Sequence, residues 1–253
     1  MKTELRHKLP SWQQLRHHEA PRWQSLHLRD VWQGETGAKR IAALVRQHDG
    51  VRLDFSKQRL DATTLSHLLQ LADEVDLSGA IASLLRGDAV NTTEHRPALH
   101  TALRLPADAS LPVAGEDVVP AIHQSLARVR DMVQRIHAKQ WRGVTGEAMT
   151  DVVCIGVGGS DLGPHLVTNA FAEFAVPEAR GLRLHFVSSI DGTQIADLLH
   201  TLRQDTTLII IASKSFTTID TLSNAETALT WMLLRLPDRE RVLRHHVIGV
   251  SAR

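Results

Sequence analysis

Two loops hold the residues with chemistry to offer. In the first, Asp151 to Gly163 (DVVCIGVGGSDLG), a short apolar run gives way to Gly156, Gly158, Gly159 and Gly163, with Ser160 among them. Glycine permits positive φ and close backbone approach. A strand that empties into such a loop and continues as a helix therefore points amide N–H groups at an anion. A tight turn with no ligand fits the same residues. A dinucleotide fingerprint needs a third glycine at position 161, where Asp161 stands, although Asp191 after the next strand keeps that option in view. In the second loop, Ser213, Ser215, Thr217 and Thr218 surround Lys214 directly ahead of a helical pattern. These hydroxyls, the ammonium and the free amides of a helix start suit a phosphate monoester, which carries about −1.5 to −2 charge near neutral pH. A plain helix cap needs one hydroxyl rather than four. No GxxxxGK[ST] occurs, which removes the P-loop reading.

The elements that must position these loops alternate. Strands are expected at Val152 to Ile155, Leu182 to Ser188, Thr207 to Ala212 and Val247 to Ser251. Between them, helices are expected at Leu162 to Phe174, Thr193 to Leu202 and Thr217 to Leu234. Leu162, Leu166, Val167, Ala170, Phe171 and Phe174 recur at helical spacing. Four strands joined by three crossover helices predict an α/β fold, a three-layer parallel sheet flanked by helices in a Rossmann-like arrangement. Ligands in such sheets sit beyond the carboxyl ends of the strands. Those ends carry Gly158-Gly159-Ser160, Ser188 to Thr193 and Ser213 to Thr218, so three polar loops converge on one edge.

Residues 1–145 read as a mainly helical region, and 146–253 as the α/β domain. Trp12, Trp23 and Trp32, with Pro10 and Pro21 as punctuation, predict short helices that wrap onto something larger. Arg52 to Phe55 alternates as a strand and Lys57 to Arg59 as a turn. Asp61 caps a helix with Leu65, Leu68, Leu69, Ala72 and Val75 on one face, and Ser78 caps a second that stops at Gly87. The polar cluster Asn91 to Pro97 is either a capped loop or a wall of an active site. Pro106 to Gly115 is a loop, and Val118 to Ile136 one long amphipathic helix whose Arg128, Arg130, Arg135 and Lys139 form a solvated face.

The chain has 253 residues, 43% of them hydrophobic, enough to bury a core. With 29 Lys plus Arg against 28 Asp plus Glu, its net charge of +1 offers no global field for nucleic acid or an anionic membrane. Any anion must be caught locally. Cys154 is the only cysteine, which rules out an intramolecular disulfide, and it reads as a packing residue of a strand. Fifteen histidines are scattered without metal-ligand spacing, so no metal is expected. No h-region opens the chain and no apolar run reaches a membrane span of about 18 residues, which predicts a cytoplasmic protein.

Four segments, GVGGSDLGP (Gly156 to Pro164), HFVSSIDGTQI (His185 to Ile195), ASKSFTTIDTLSNA (Ala212 to Ala225) and NTTEHRPALHTALR (Asn91 to Arg104), together resemble the N-terminal half of the glucose-6-phosphate isomerase family, from about residue 50 onward. The α/β region is similar to that family's first sugar-isomerase domain. The resemblance implies an aldose–ketose isomerase acting on a small-molecule sugar phosphate without cofactor or metal, as a cytoplasmic homodimer. It implies that Ser213, Ser215 and Thr218, with Lys214 and Thr217, hold the phosphate, and that Gly159 and Ser160 approach the sugar. Position 215 is serine where the family more often has threonine, and Pro97 is less usual there. Family members are about double this length. Their proton-shuttling glutamate, ring-opening histidine and lysine, and enediolate-steadying arginine are expected beyond residue 253. A chain that stops after a strand at Val247 to Ser251 is expected to bind weakly and not to isomerise, with Glu94 the first suspect should it do so. A regulator of the same fold that binds a sugar phosphate without reacting is the alternative.

Overall fold

A computed structural model describes residues 6–252. The chain divides into two compact units, Met1–His123 and Gln124–Arg253. Residue 145, where the sequence pattern changes, lies in the second.

In the first unit, helices α1 (Pro10–Gln14) and α2 (Ala20–Ser25) are joined without a break by a π-helical turn at Leu15–Glu19. Pro10 opens α1, where its missing N–H is no loss, and Pro21 is the second residue of α2. Trp23 is buried, and its Nε1–H donates to Thr64 Oγ1 at 2.9 Å. After α3 (Gly34–Leu44), strands β1 (Val45–His48) and β2 (Val51–Asp54) form an antiparallel hairpin. Its turn residues Asp49 and Gly50 both take positive φ, as a two-residue hairpin turn requires. Helix α4 (Ala62–Glu74) is capped by Asp61 as expected, the carboxylate accepting Thr64 N–H at 2.9 Å.

Helix α5 (Leu77–Arg86) starts two residues earlier than its sequence suggests. The cap is Asp76 rather than Ser78, because the carboxylate accepts Gly79 N–H at 3.0 Å. Gly87 closes the helix in the left-handed conformation. Asn91 to Arg96 folds back on itself as a bridged turn, Asn91 Oδ1 accepting from Glu94 N–H and from Thr93 Oγ1. His100–Arg104 is a 3-10 helix. The expected loop before Gly115 instead contributes to a small hairpin of β3 (Pro112–Val113) and β4 (Glu116–Asp117).

Helix α6 (Val119–His137) begins in the first unit and continues into the second. The rest of the second unit is built from β5 (Asp151–Ile155), α7 (Gly159–Ala170), β6 (Arg183–Val187), α8 (Gly192–Thr201), β7 (Thr207–Ala212), α9 (Ile219–Arg235), α10 (Arg239–His246) and β8 (Val247–Val250). All four strands are parallel in the order β6-β5-β7-β8. Val153, Ile155, Val187 and Ile209 turn one face toward Ile195 and Leu199 of α8, Ala228 and Met232 of α9 and Val242 of α10. Side chains alternate along a strand, so Val152, Cys154, Leu208 and Ile210 line the other face, with Met149, Ile136 and Trp141. Helix α7 lies on that second face, where its His165 stacks on Phe186 with ring centroids 4.6 Å apart. The sheet with helices on both faces is the layered α/β fold its alternating pattern predicts.

Two features of this unit depart from the sequence reading. Helix α10 went unread because RERVLRHH offers only Val242 and Leu243 to an apolar stripe; the Asp238 carboxylate, accepting Arg241 N–H at 3.1 Å, is what starts it. Helix α7 starts three residues and ends four residues before its expected span, and Leu162, Leu166 and Val167, with Phe171 just after it, face solvent. The inward face belongs to Asp161, which is buried, and to His165 one turn on.

Candidate functional site

The strand order makes β5 the turning point of the sheet, because the chain leaves it to form β6 on one side and returns to form β7 on the other. A crevice opens at such a switch point, outside the carboxyl ends of the strands. The glycine loop leaves β5 there and the hydroxyl loop leaves β7.

In the glycine loop only Gly158 adopts positive φ, +60°. Gly156 serves close approach instead, since a Cβ there would lie 3.0 Å from both Cβ and O of Ser160. Gly159 and Gly163 need neither, a narrower role than the four-glycine pattern suggests. Gly159 is the first residue of α7, and Ser160 N–H donates to Val157 O at 3.2 Å, so both sit at the helix start. No side chain caps that start.

The hydroxyl loop is bonded within itself. Ser213 is buried; its Oγ accepts Phe216 N–H at 3.1 Å and lies 3.5 Å from Thr218 Oγ1. Ser215 Oγ and Thr217 Oγ1 pair at 2.5 Å. Thr218 occupies the cap position of α9, yet its side chain makes no capping hydrogen bond. A hydroxyl at a cap normally accepts from an amide one turn on. Here the first turn of α9, with its partial positive charge, keeps its amides directed at the loop that holds the hydroxyls and Lys214.

The third loop differs. Asp191 already caps α8, accepting Thr193 N–H at 2.9 Å, and the bonds from Thr193 hold its carboxyl below the usual carboxylate range. That helix start is satisfied from within the chain. Two residues that sequence reasoning quoted but did not single out tie this loop in place. Gln194 Oε1 accepts Ser188 N–H and Ser189 N–H at 3.2 and 3.1 Å, and buried Asn224 of α9 donates to Ser189 O at 2.8 Å. A polar amide in the buried stripe of a helix was the available signal for Asn224.

Cys154, half-buried behind the glycine loop, has its thiol pushed up to about 11 by burial and by neighbouring Asp161. It stays protonated at neutral pH and is no nucleophile. Among the described residues no helix is long and apolar enough to cross a membrane.

Comparison with known proteins bears on the whole arrangement. The family model described as phosphoglucose isomerase matches residues 54–253. Glucose-6-phosphate isomerase 2 of Chromohalobacter salexigens is 50% identical, covering 98% of this chain and 45% of its own length. Glucose-6-phosphate isomerase of Psychrobacter cryohalolentis is 49% identical over 95% of this chain and 43% of its own. The crystal structure of a glucose-6-phosphate isomerase from Chlamydia trachomatis shares the fold, with a TM-score of 0.71 at 24% identity over 94% of this chain and 44% of that one. The chain thus spans less than half the length of the curated relatives it matches. With a family model covering most of its residues, and the strand order and loops described above, the chain belongs to the phosphoglucose isomerase family.

Proposed function

We propose that this chain supplies the phosphate-holding part of an aldose–ketose isomerase that interconverts glucose 6-phosphate and fructose 6-phosphate through an enediol intermediate. The observation that carries the reading is Thr218 at the start of α9, whose hydroxyl makes no capping hydrogen bond and lies 3.5 Å from Ser213 Oγ within the hydroxyl loop. Ser215, Thr217 and Thr218 donate to the phosphate oxygens, and Lys214 and the α9 amides balance their charge. Ser213, being buried, shapes the loop through Phe216 N–H. Gly159 and Ser160 approach the sugar across the crevice. This work falls to residues 146–253, and 1–145 form a mainly helical region.

Holding the phosphate supplies orientation. The proton transfer between C2 and C1 needs a base of suitable pKa within hydrogen-bond reach, which we place beyond residue 253, in the segment that the longer relatives possess. The reaction calls for no cofactor or metal, and the complete protein works in the cytoplasm as a homodimer without nucleic acid or membrane.

The test compares three proteins on fructose 6-phosphate: this chain, the full-length Chromohalobacter salexigens relative, and a chimera that appends that relative's remaining segment to residue 253. Turnover in the second and third but not the first is the expected result. Turnover by the 253-residue chain would overturn the placement of the base and point to one of its own carboxylates, Glu94 first.

A further inference from the structure

Phe216 stands in the middle of the hydroxyl loop with φ at +53°. A left-handed backbone is an outlier for a bulky aromatic residue and persists only where its surroundings over-determine it. Three contacts do so here. Phe216 N–H donates to buried Ser213 Oγ at 3.1 Å. Its ring lies across β8 at Gly249, where an added Cβ would come 3.4 Å from the ring's Cζ. The chain just before it is pinned to the end of β8, because Ser213 N–H donates to Val250 O at 3.0 Å while Lys214 O accepts Ser251 Oγ–H at 3.2 Å and Ala252 N–H at 3.3 Å. One reversed residue therefore turns the chain between the end of β7 and the start of α9. It places Ser213 and Ser215 before the reversal and Thr217 and Thr218 after it, so that Ser213 meets Thr218 and Ser215 meets Thr217.

Resting on the phosphate reading above, we propose that Phe216 is the positioning residue of the phosphate loop: its left-handed backbone, held by the ring seated over Gly249, brings the four hydroxyls into register. No contact of Phe216 with the ligand is required. Any residue that tolerates left-handed backbone can substitute in part, whereas a β-branched one cannot. The ring in turn needs position 249 to remain without a branched side chain.

The experiment titrates inorganic phosphate into the 253-residue chain and its variants by calorimetry, with circular dichroism as a check of fold and amide hydrogen exchange at residue 216 as a second readout. Phe216→Asn, which accepts left-handed backbone but lacks the ring, is expected to weaken binding by about three-fold, and Phe216→Val by about ten-fold or more. Gly249→Val is expected to resemble Phe216→Val. In both valine variants the residue-216 amide should lose its exchange protection while the rest of the sheet keeps its own. Rescue by asparagine is something that a merely structural role of the ring would not give. Equal binding by Phe216→Val and the unmodified chain overturns the proposal, as does an asparagine variant as weak as the valine one. If the unmodified chain binds no phosphate, the functional reading falls, and loop positioning is then decided by exchange protection alone: retained in Phe216→Val, it too is overturned.

Discussion

His246 Nε2 accepts the backbone N–H of Val144 at 2.9 Å, while its Nδ1 lies 2.8 Å from Thr207 O. A carbonyl can only accept, so Nδ1 carries the proton and the ring is neutral. The imidazole is fully buried and stitches the segment before β5 to the start of β7.

That geometry sets a pH dependence. Burial lowers the pKa of His246 below 6.5, the bond to Thr207 O opposes that, and of the charged neighbours His245 lowers it and Asp205 raises it. Because the folded pKa is the depressed one, the unfolded chain takes up the proton first as pH falls. The midpoint of thermal unfolding should be flat from pH 8 to about 7 and decline once the pH drops below about 6.5. In His246→Gln that decline should shrink, from a lower starting stability. A decline of the same size in the variant would assign it to another group.

Gly143 touches the same ring. A Cβ there would sit 2.6 Å from His246 Cε1 and 2.5 Å from Asp205 O, and the carbonyl belongs to backbone that cannot swing away. Gly143→Ala should therefore cost about 1–3 kcal/mol, the usual range for overpacking, read as a lower urea midpoint at unchanged slope. A neutral result would mean that the segment shifts freely.

Asp151 is 1% exposed at the amino end of β5, with Arg183 donating through Nε and Nη2 at 2.8 and 2.7 Å, Thr150 Oγ1–H at 2.8 Å and His185 Nε2 at 2.8 Å. Burial works against its ionisation, but the bonds from Arg183, His185 and Thr150 outweigh it and hold the pKa below the usual value. Asp151→Asn cannot satisfy all these donors and should lower stability by roughly 2–3 kcal/mol. Phosphate affinity should not move, because the loops leave the opposite edge. In the parent chain this contribution is lost only in the acid range, below about pH 4, well separated from the histidine's.

Thr218→Val separates the two roles open to that hydroxyl. A capping threonine would lose about 1 kcal/mol on removal of its oxygen, but Thr218 caps nothing. Unfolding midpoints should match the parent within error while phosphate affinity drops by about ten-fold or more, the share of one hydrogen bond to a charged group. The reverse pattern would return the residue to an ordinary helix cap.

Much of this was legible in the sequence where burial dictates composition. Thr207 to Ala212 was bounded to the residue because a parallel strand covered on both faces reads as a near-continuous apolar run. The hydroxyl loop was equally plain, its residue types being dense and unusual. The reading failed where the determinant was a single polar contact. Val45–His48 pairs as a strand with hardly an apolar residue in it, and Asp49-Gly50 was the hairpin signal to use. Asp76 displaced Ser78 as a cap through one carboxylate bond, and the reversed backbone at Phe216 breaks the local preference of its own side chain. His246 gave no warning at all, since nothing in RERVLRHH tells a fully buried, neutral histidine from the half-buried one beside it.

The position of β5 between β6 and β7 has a consequence in time as well as space. Its partners are synthesised later, and the second of them, Thr207–Ala212, must emerge before β5 is covered on both edges. At translation speeds of about 5–20 residues per second this leaves Val152, Val153 and Ile155 half-paired for several seconds on the ribosome. Parallel pairings between distant segments are slow to form in any case. During that interval β5 is the part of the nascent chain with most to gain from a chaperone, and its fate depends on the pace of translation through residues 183–212 rather than on the stability of the finished sheet.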